Sequence, residues 1–194
     1  MLIGITGAAG CGKSTVAEHL ASKYGFLTES FAKPLKDCCA AIFGWRRDLL
    51  EGDTPDSRAW RETVDEVVSR RLGMEDVTPR RVLQLFGTDV CRGHLHPEIW
   101  IASMEFRIDL RKGHYVIPDV RFMDEAEWIR KNGGIIICLL GPPGRDGAHI
   151  SELLWKQIVP HYTIDNAQQD NTHKLFRIVD TIVDAHISGG CAQE

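Results

Sequence analysis

The sequence predicts an α/β fold: a central parallel sheet of about five strands flanked by helices. Three observations predict it. The first 24 residues read as apolar strand, glycine-rich loop and helix. Further short apolar runs then alternate with helical patterns in the second half, which indicates a parallel sheet covered on both faces. Between them, from about Asp53 to Lys112, no alternating strand occurs and the chain reads as several helices.

The opening strand is Leu2–Thr6, and Val16, Leu20 and Tyr24 recur at helical spacing after the loop. A second apolar stretch, Gly25–Thr28, leads into a helix ending near Phe43. In the middle segment Ser57 and Thr78-Pro79 read as helix starts, the latter placing Pro in the first turn. The run His114–Asp119 is a strand, followed by a helix from Met123 to Asn132 that Gly133-Gly134 stops. Ile135–Leu140 is the clearest buried strand. After a turn-rich loop from Gly141 to Gly147 come a helical patch around Ser151–Ile158, a strand at Tyr162–Asp165, and a helix in which Leu175, Ile178, Val179, Ile182 and Val183 recur. The tail from Ser188 to Glu194 is expected to be disordered.

Composition narrows the partners. Lys and Arg number 23 against 27 acidic residues, a net charge of −4, which argues against a nucleic-acid polymer as partner. Fifteen of the cations are Arg and eight are Lys, a weak hint of forked phosphate or carboxylate recognition. Cys11, Cys38, Cys39, Cys91, Cys138 and Cys191 form no CxxC pair, so a reduced, cytoplasmic chain is expected. No signal-peptide core and no apolar run of spanning length occur, so no membrane is expected. His94 and His96 lack surrounding ligands at metal spacing and read as surface residues.

The segment Gly7-Ala8-Ala9-Gly10-Cys11-Gly12-Lys13-Ser14 matches G-x-x-x-x-G-K-[ST] in the strand-to-helix context that the motif requires. Small residues let successive N–H groups curl around a phosphate at a helix start. Lys13 reaches the β and γ phosphates, and the Ser14 hydroxyl is placed for Mg²⁺, with Thr15 beside it. Nucleoside triphosphate binding follows. No N-K-x-D-like guanine reader follows, and the candidate later strand ends Pro118-Asp119-Val120-Arg121 rather than in the Asp-Glu of a motor ATPase. A phosphate loop, a helical insert and a cation-bearing lid in this order suit a small-molecule or nucleotide kinase.

The strings Phe31-Ala32-Lys33-Pro34-Leu35-Lys36, Thr78 through Arg92 (TPRRVLQLFGTDVCR) and Ile117-Pro118-Asp119-Val120-Arg121-Phe122 resemble the bacteriophage deoxynucleoside monophosphate kinases. With the phosphate loop, His149-Ile150-Ser151-Glu152 and Ile164-Asp165-Asn166, the resemblance runs over most of the chain. It departs at Ser14, where many relatives have Asp, and at Met123-Asp124-Glu125, where they have Pro-Asn-Glu. The resemblance implies a P-loop kinase fold in one domain: core 1–32 and 113–187, a helical monophosphate-binding insert at about 33–112, and a lid at about 141–161. It further implies ATP as donor, Mg²⁺ as cofactor and deoxynucleoside monophosphates as acceptors, with a homodimer left open. It also places Phe31, Gln84 and Glu152 on the acceptor side and Asn166 on the ATP side.

The residues point the same way. A nucleoside monophosphate has a second pKa of about 6, so its oxygen attacks without a protein base and the site needs positive charge instead. Lys36, Arg80, Arg92 and Arg121 are the candidates, each with a solvated surface cation as the alternative. Arg121 follows a strand end, where ligands lie in open α/β sheets. Asp119 would orient Mg²⁺ through water or hold an Arg or the acceptor, or else cap the next helix. Thr88 and Asp89 can meet a base edge. Trp60 or Trp100 offers a ring to stack on it, against a plainer reading of both as core packing. Arg145 is the natural lid cation, with His149 and Lys156 behind it, against a plain surface loop. Two rivals stand beside this reading. Dephospho-coenzyme A kinase phosphorylates a hydroxyl and wants a carboxylate base after the second strand; Phe31-Ala32-Lys33 occupies that region, which counts against this rival. A slow P-loop switch would bind ATP without acceptor-dependent ADP release.

Overall fold

The computed structural model describes residues 1–142, 153–167 and 172–189. The chain forms two compact units, Met1–Ser30 with Ile108–Glu194, and Phe31–Arg107. In chain order the first unit opens with β1 (Leu2–Thr6), α1 (Lys13–Tyr24) and β2 (Leu27–Thr28). The second holds α2 (Lys33–Phe43), α3 (Pro55–Glu62), α4 (Glu66–Leu72), α5 (Pro79–Gln84), a π-helix (Leu85–Leu95) and α6 (Ile99–Arg107). The first unit resumes with β3 (Tyr115–Ile117), α7 (Met123–Lys131), β4 (Ile135–Leu140), a 3₁₀ turn (Leu154–Gln157), β5 (Tyr162–Asp165) and α8 (Thr172–Gly189).

The five strands lie in the order β2-β3-β1-β4-β5, and every pairing is parallel. The predicted α/β class and sheet are therefore present. β1 is central, with Leu2–Gly4 against Tyr115–Ile117 on one side and Ile3–Thr6 against Ile135–Cys138 on the other. Successive strand residues alternate between faces. Ile3, Ile5, Val116, Ile137 and Leu139 join Val16 and Leu20 of α1 and Leu175, Val179 and Val183 of α8 in one buried cluster. Burying each such side chain is worth about 1.5–3 kcal/mol. Gly4 points to the opposite face, where a Cβ would lie 2.5 Å from Ile129 Cδ1, so its lack of a side chain lets α7 pack directly on β1.

In the second unit the Thr78-Pro79 start holds, with Thr78 Oγ1 accepting from the Arg81 N–H at 3.2 Å. The predicted start at Ser57 moves three residues upstream. Thr54 caps α3 and Pro55 opens it, while Ser57 sits at the third position and its hydroxyl oxygen accepts in return from the Thr54 N–H. The same Thr-Pro signature thus starts both helices. Gly87 of the π-helix is required by a close approach, since a Cβ there would meet Leu35 Cδ2 of α2 at 2.6 Å. No strand occurs among the described residues of this unit.

Two further expectations change. Ser188 and Gly189, assigned to a disordered tail, belong to α8. Of the helical patch at Ser151–Ile158, the described part is a single 3₁₀ turn. No helix among the described residues is long and apolar enough to cross a membrane.

Candidate active site

The phosphate loop leaves the C-terminal end of the central strand, where the sheet order reverses and open α/β sheets bind their ligands. Its shape depends on glycine at two positions. Gly7 has φ +136° and a Cβ there would strike the Leu139 carbonyl oxygen at 2.2 Å. Gly12 has φ +103°, and a Cβ would lie 2.9 Å from Asn166 Nδ2. Gly12 brings the chain into α1 with no side-chain cap and no acidic residue in the first turn, so the first amides of α1 take no acceptor from a capping side chain. Asn166 holds the loop from behind. Its backbone N–H donates to Leu140 at 2.8 Å and its side-chain amide donates to the Cys11 carbonyl at 3.0 Å. Beside it lies a cavity lined by Gly10, Gly12, Thr15, Asn166, Thr172 and Leu175.

Lys13 reaches back over the loop, its ammonium donating to the Gly7 carbonyl at 2.8 Å and the Ala8 carbonyl at 2.6 Å, with Cys11 Sγ at 3.6 Å. Burial lowers its pKa from the usual lysine value. Cys11 opposes that shift, Arg121 adds to it, and Asp119 opposes it more weakly. These couplings bring Lys13, Arg121 and Asp119 into one electrostatic group, although they are far apart in sequence. Asp119 and Arg121 follow β3, the strand paired with β1. The Asp119 carboxylate accepts from the Ser30 hydroxyl at 2.8 Å. The N-cap position of α7 is Phe122 and not Asp119, and the N–H groups of Arg121 and Phe122 donate to the Glu125 carboxylate at 2.8 and 3.1 Å. Arg121 is exposed.

In the helical unit the acceptor-side candidates are already engaged. Lys36 pairs with Glu51, whose neighbour Arg47 also binds Asp37. Arg80 pairs with Glu62 of α3 at 2.6 Å, and Arg92 donates to the Pro97 carbonyl at 2.9 Å. Thr88, Asp89 and Arg92 lie on the π-helix and Gln84 directly precedes it. Such i→i+5 segments are rare and concentrate at functional sites. Helical periodicity alone does not reveal one. Phe31 is 2% exposed, and Trp100, at 9%, donates its indole N–H to the Gly87 carbonyl at 3.0 Å. Both rings are therefore buried among their neighbours. Trp60 meets Trp45 edge-on. His94 is bonded to the Asp89 carbonyl, and His96 accepts from the Glu98 N–H.

Arg145, His149 and Glu152 lie outside the described residues, as does the whole stretch 143–152 of the expected lid. Sequence reasoning missed Thr6, Ser30 and Glu125. Glu125 carried a legible signal: it shares a helical face with Trp128 and Ile129, an unusual place for a carboxylate. For a hard divalent cation the available donors are the exposed Ser14 hydroxyl and the Asp119 carboxylate, oxygen ligands of the kind such ions take. No group of three or more His, Cys, Asp or Glu among the described residues is placed to hold a metal. A cation that arrives with a triphosphate needs no such cage.

The family model for deoxynucleotide monophosphate kinase matches residues 52–156. A putative deoxynucleotide monophosphate kinase of Acanthamoeba polyphaga mimivirus is 33% identical, over 81% of this chain and 83% of its own. The deoxynucleoside-5'-monophosphate kinase of Escherichia phage T5 is 25% identical, over 68% of this chain and 72% of its own. A solved structure from Thermus thermophilus aligns over 96% of this chain and 97% of its own at 16% identity, with a TM-score of 0.48. By its family match and by its likeness to the mimivirus protein, the chain belongs to the deoxynucleotide monophosphate kinases and is an enzyme that phosphorylates a nucleotide monophosphate.

Proposed function

We propose that the enzyme transfers the γ-phosphoryl group of ATP to the α-phosphate of a deoxynucleoside monophosphate, giving the diphosphate and ADP. The observation that carries this reading is the grouping of Lys13, Asp119 and Arg121 at the ends of two adjacent parallel strands, beside a complete phosphate loop. The loop amides and Lys13 hold the β and γ phosphates. The cavity beside Asn166 borders the donor nucleotide. Arg121 stabilises charge on the group in flight, and the acceptor, already an anion, supplies its own nucleophilic oxygen. Arg80, Arg92 and Lys36, with Gln84, Thr88 and Asp89, take the acceptor nucleotide, and the segment 141–161 with Arg145 serves as lid. Ser14, and Asp119 directly or through water, would hold a magnesium ion bound with the triphosphate, and that ion would supply neutralising charge to the phosphates.

One observation favours a second reading. β2 ends at Thr28, so the first residue after it is Glu29, a half-buried carboxylate, and not the Phe31–Lys33 stretch expected there. A carboxylate at that place can serve as general base toward a hydroxyl acceptor such as dephospho-coenzyme A. Release of ADP from ATP and Mg²⁺ separates the readings when the acceptor is varied among deoxynucleoside monophosphates, ribonucleoside monophosphates and dephospho-coenzyme A. The deoxynucleotides are expected to accelerate release most. If no monophosphate raises it above the rate without acceptor, the proposed reaction is wrong.

A further inference from the structure

Among the described residues three polar or charged side chains are buried: Thr6 at 0%, Ser57 at 2% and Glu125 at 3% exposure. Burying such groups is costly unless they are put to use in hydrogen bonds. Ser57 is spent on the start of α3. The other two converge on a single four-residue segment, Asp119-Val120-Arg121-Phe122. Thr6, the last residue before the phosphate loop, donates its hydroxyl to the Val120 carbonyl at 2.8 Å, while the Val120 N–H donates to Ile5 at 3.2 Å. The Glu125 carboxylate takes the N–H groups of both Arg121 and Phe122 through one oxygen, Oε2. With Ser30 on the Asp119 side chain, all four residues are held.

Helix capping explains only part of this. Phe122 stands at the N-cap of α7 and has no side-chain oxygen, so a Glu three residues on that returns to the cap N–H is half of a capping box. The bond to Arg121 is the shorter of the two and lies one residue before the cap, where helix formation does not call for it. It fixes the residue whose guanidinium does the chemistry. We infer that Glu125 is a positioning residue for phosphoryl transfer, its buried carboxylate fixing the Arg121 backbone and hence the direction in which the guanidinium leaves the sheet edge. The inference rests on the role proposed above for Arg121.

Displacing a group by about 1 Å costs up to roughly 10²-fold in rate. Glu125→Ala should therefore lower kcat by about 10–100-fold and leave the KM for ATP unchanged. Glu125→Gln keeps an oxygen in place for both N–H groups and should stay within about threefold of wild type. The deciding measurement repeats Glu125→Ala in an Arg121→Ala background, where the further loss should shrink to about twofold or less, because both substitutions remove the same contribution. An equal loss in both backgrounds, or near-normal kcat in folded Glu125→Ala, overturns the inference. Should Glu125→Ala not fold, Glu125→Asp withdraws the carboxylate by one methylene and carries the same cycle. Near-normal turnover in Arg121→Ala rejects the Arg121 role and this inference with it. A wild type without acceptor-dependent transfer rejects the proposed reaction, a separate and earlier result.

Discussion

In the sheet unit Lys13 and Arg121 stand on backbone that is itself hydrogen-bonded: Lys13 on a loop pinned by Asn166, Arg121 on a segment held by Thr6 and Glu125. In the helical unit Lys36, Arg80 and Arg92 also stand on hydrogen-bonded helical backbone, but Lys36 and Arg80 face carboxylates, Glu51 and Glu62, and Arg92 donates to the Pro97 carbonyl. The difference bears on what each set can do. A cation that meets neutral carbonyls, as Lys13 does at Gly7 and Ala8, keeps its charge for the charge that develops during reaction. A cation already facing a carboxylate gives up less free energy to an incoming phosphate. It suits holding and selecting an acceptor more than stabilising a transition state.

Lys13→Ala tests the first half of this contrast and should have the largest effect. Transfer should fall by about 10²–10³-fold in kcat while the far-ultraviolet circular dichroism is retained. Turnover close to wild type would remove Lys13 from the mechanism. Arg80→Ala tests the second half. It should raise the KM for the deoxynucleotide by about tenfold, equivalent to roughly 1.4 kcal/mol, with kcat and the KM for ATP little changed. A fall in kcat with KM unchanged would instead put the helical unit into the chemical step and break the contrast.

The smallest effect concerns the ion pairs themselves. Burial raises the Glu51 pKa, but Lys36 and Arg47 outweigh it and hold the carboxyl below the ordinary value of 4.5. A lowered folded pKa means that this group contributes stability above about pH 4.5, lost as the pH falls through the folded value. Glu51→Gln should therefore lower Tm at pH 7 by about 1–3 °C, a small shift because the pair is partly exposed. The gap should close as the pH falls below 4.5. A gap that persists in acid would assign the loss to packing and not to the pair.

Much of the sheet unit was legible because its elements are local. β1, β4 and β5 begin and end at the predicted residues, since each is a short apolar run bounded by turn residues. The phosphate loop declares itself through glycines whose backbone angles other residues rarely adopt. The helical unit was read only as several helices. Its π-helix leaves no period of its own in a sequence that also fits an α-helix, and the start of α3 was placed late because Ser57 looks like a cap while serving as the partner of one. Trp100 could be read either as a stacking ring or as core. Only the folded chain shows that its ring is buried and its indole bonded to Gly87, thirteen residues away.

By itself the sequence determined the α/β class and the phosphate-loop motif, and it singled out the cations proposed to meet a phosphate acceptor. Those depend on residue type and on spacing within one or two turns of chain. Only the tertiary structure decided that β3 lies beside β1, which brings Asp119 and Arg121 to the loop that carries Lys13. Only the tertiary structure decided which polar groups are buried, and so that Thr6 and Glu125 serve the segment between them. Parallel pairing joins residues more than a hundred positions apart, and burial is a property of all the neighbours a side chain acquires. Neither is encoded within the reach of a local pattern.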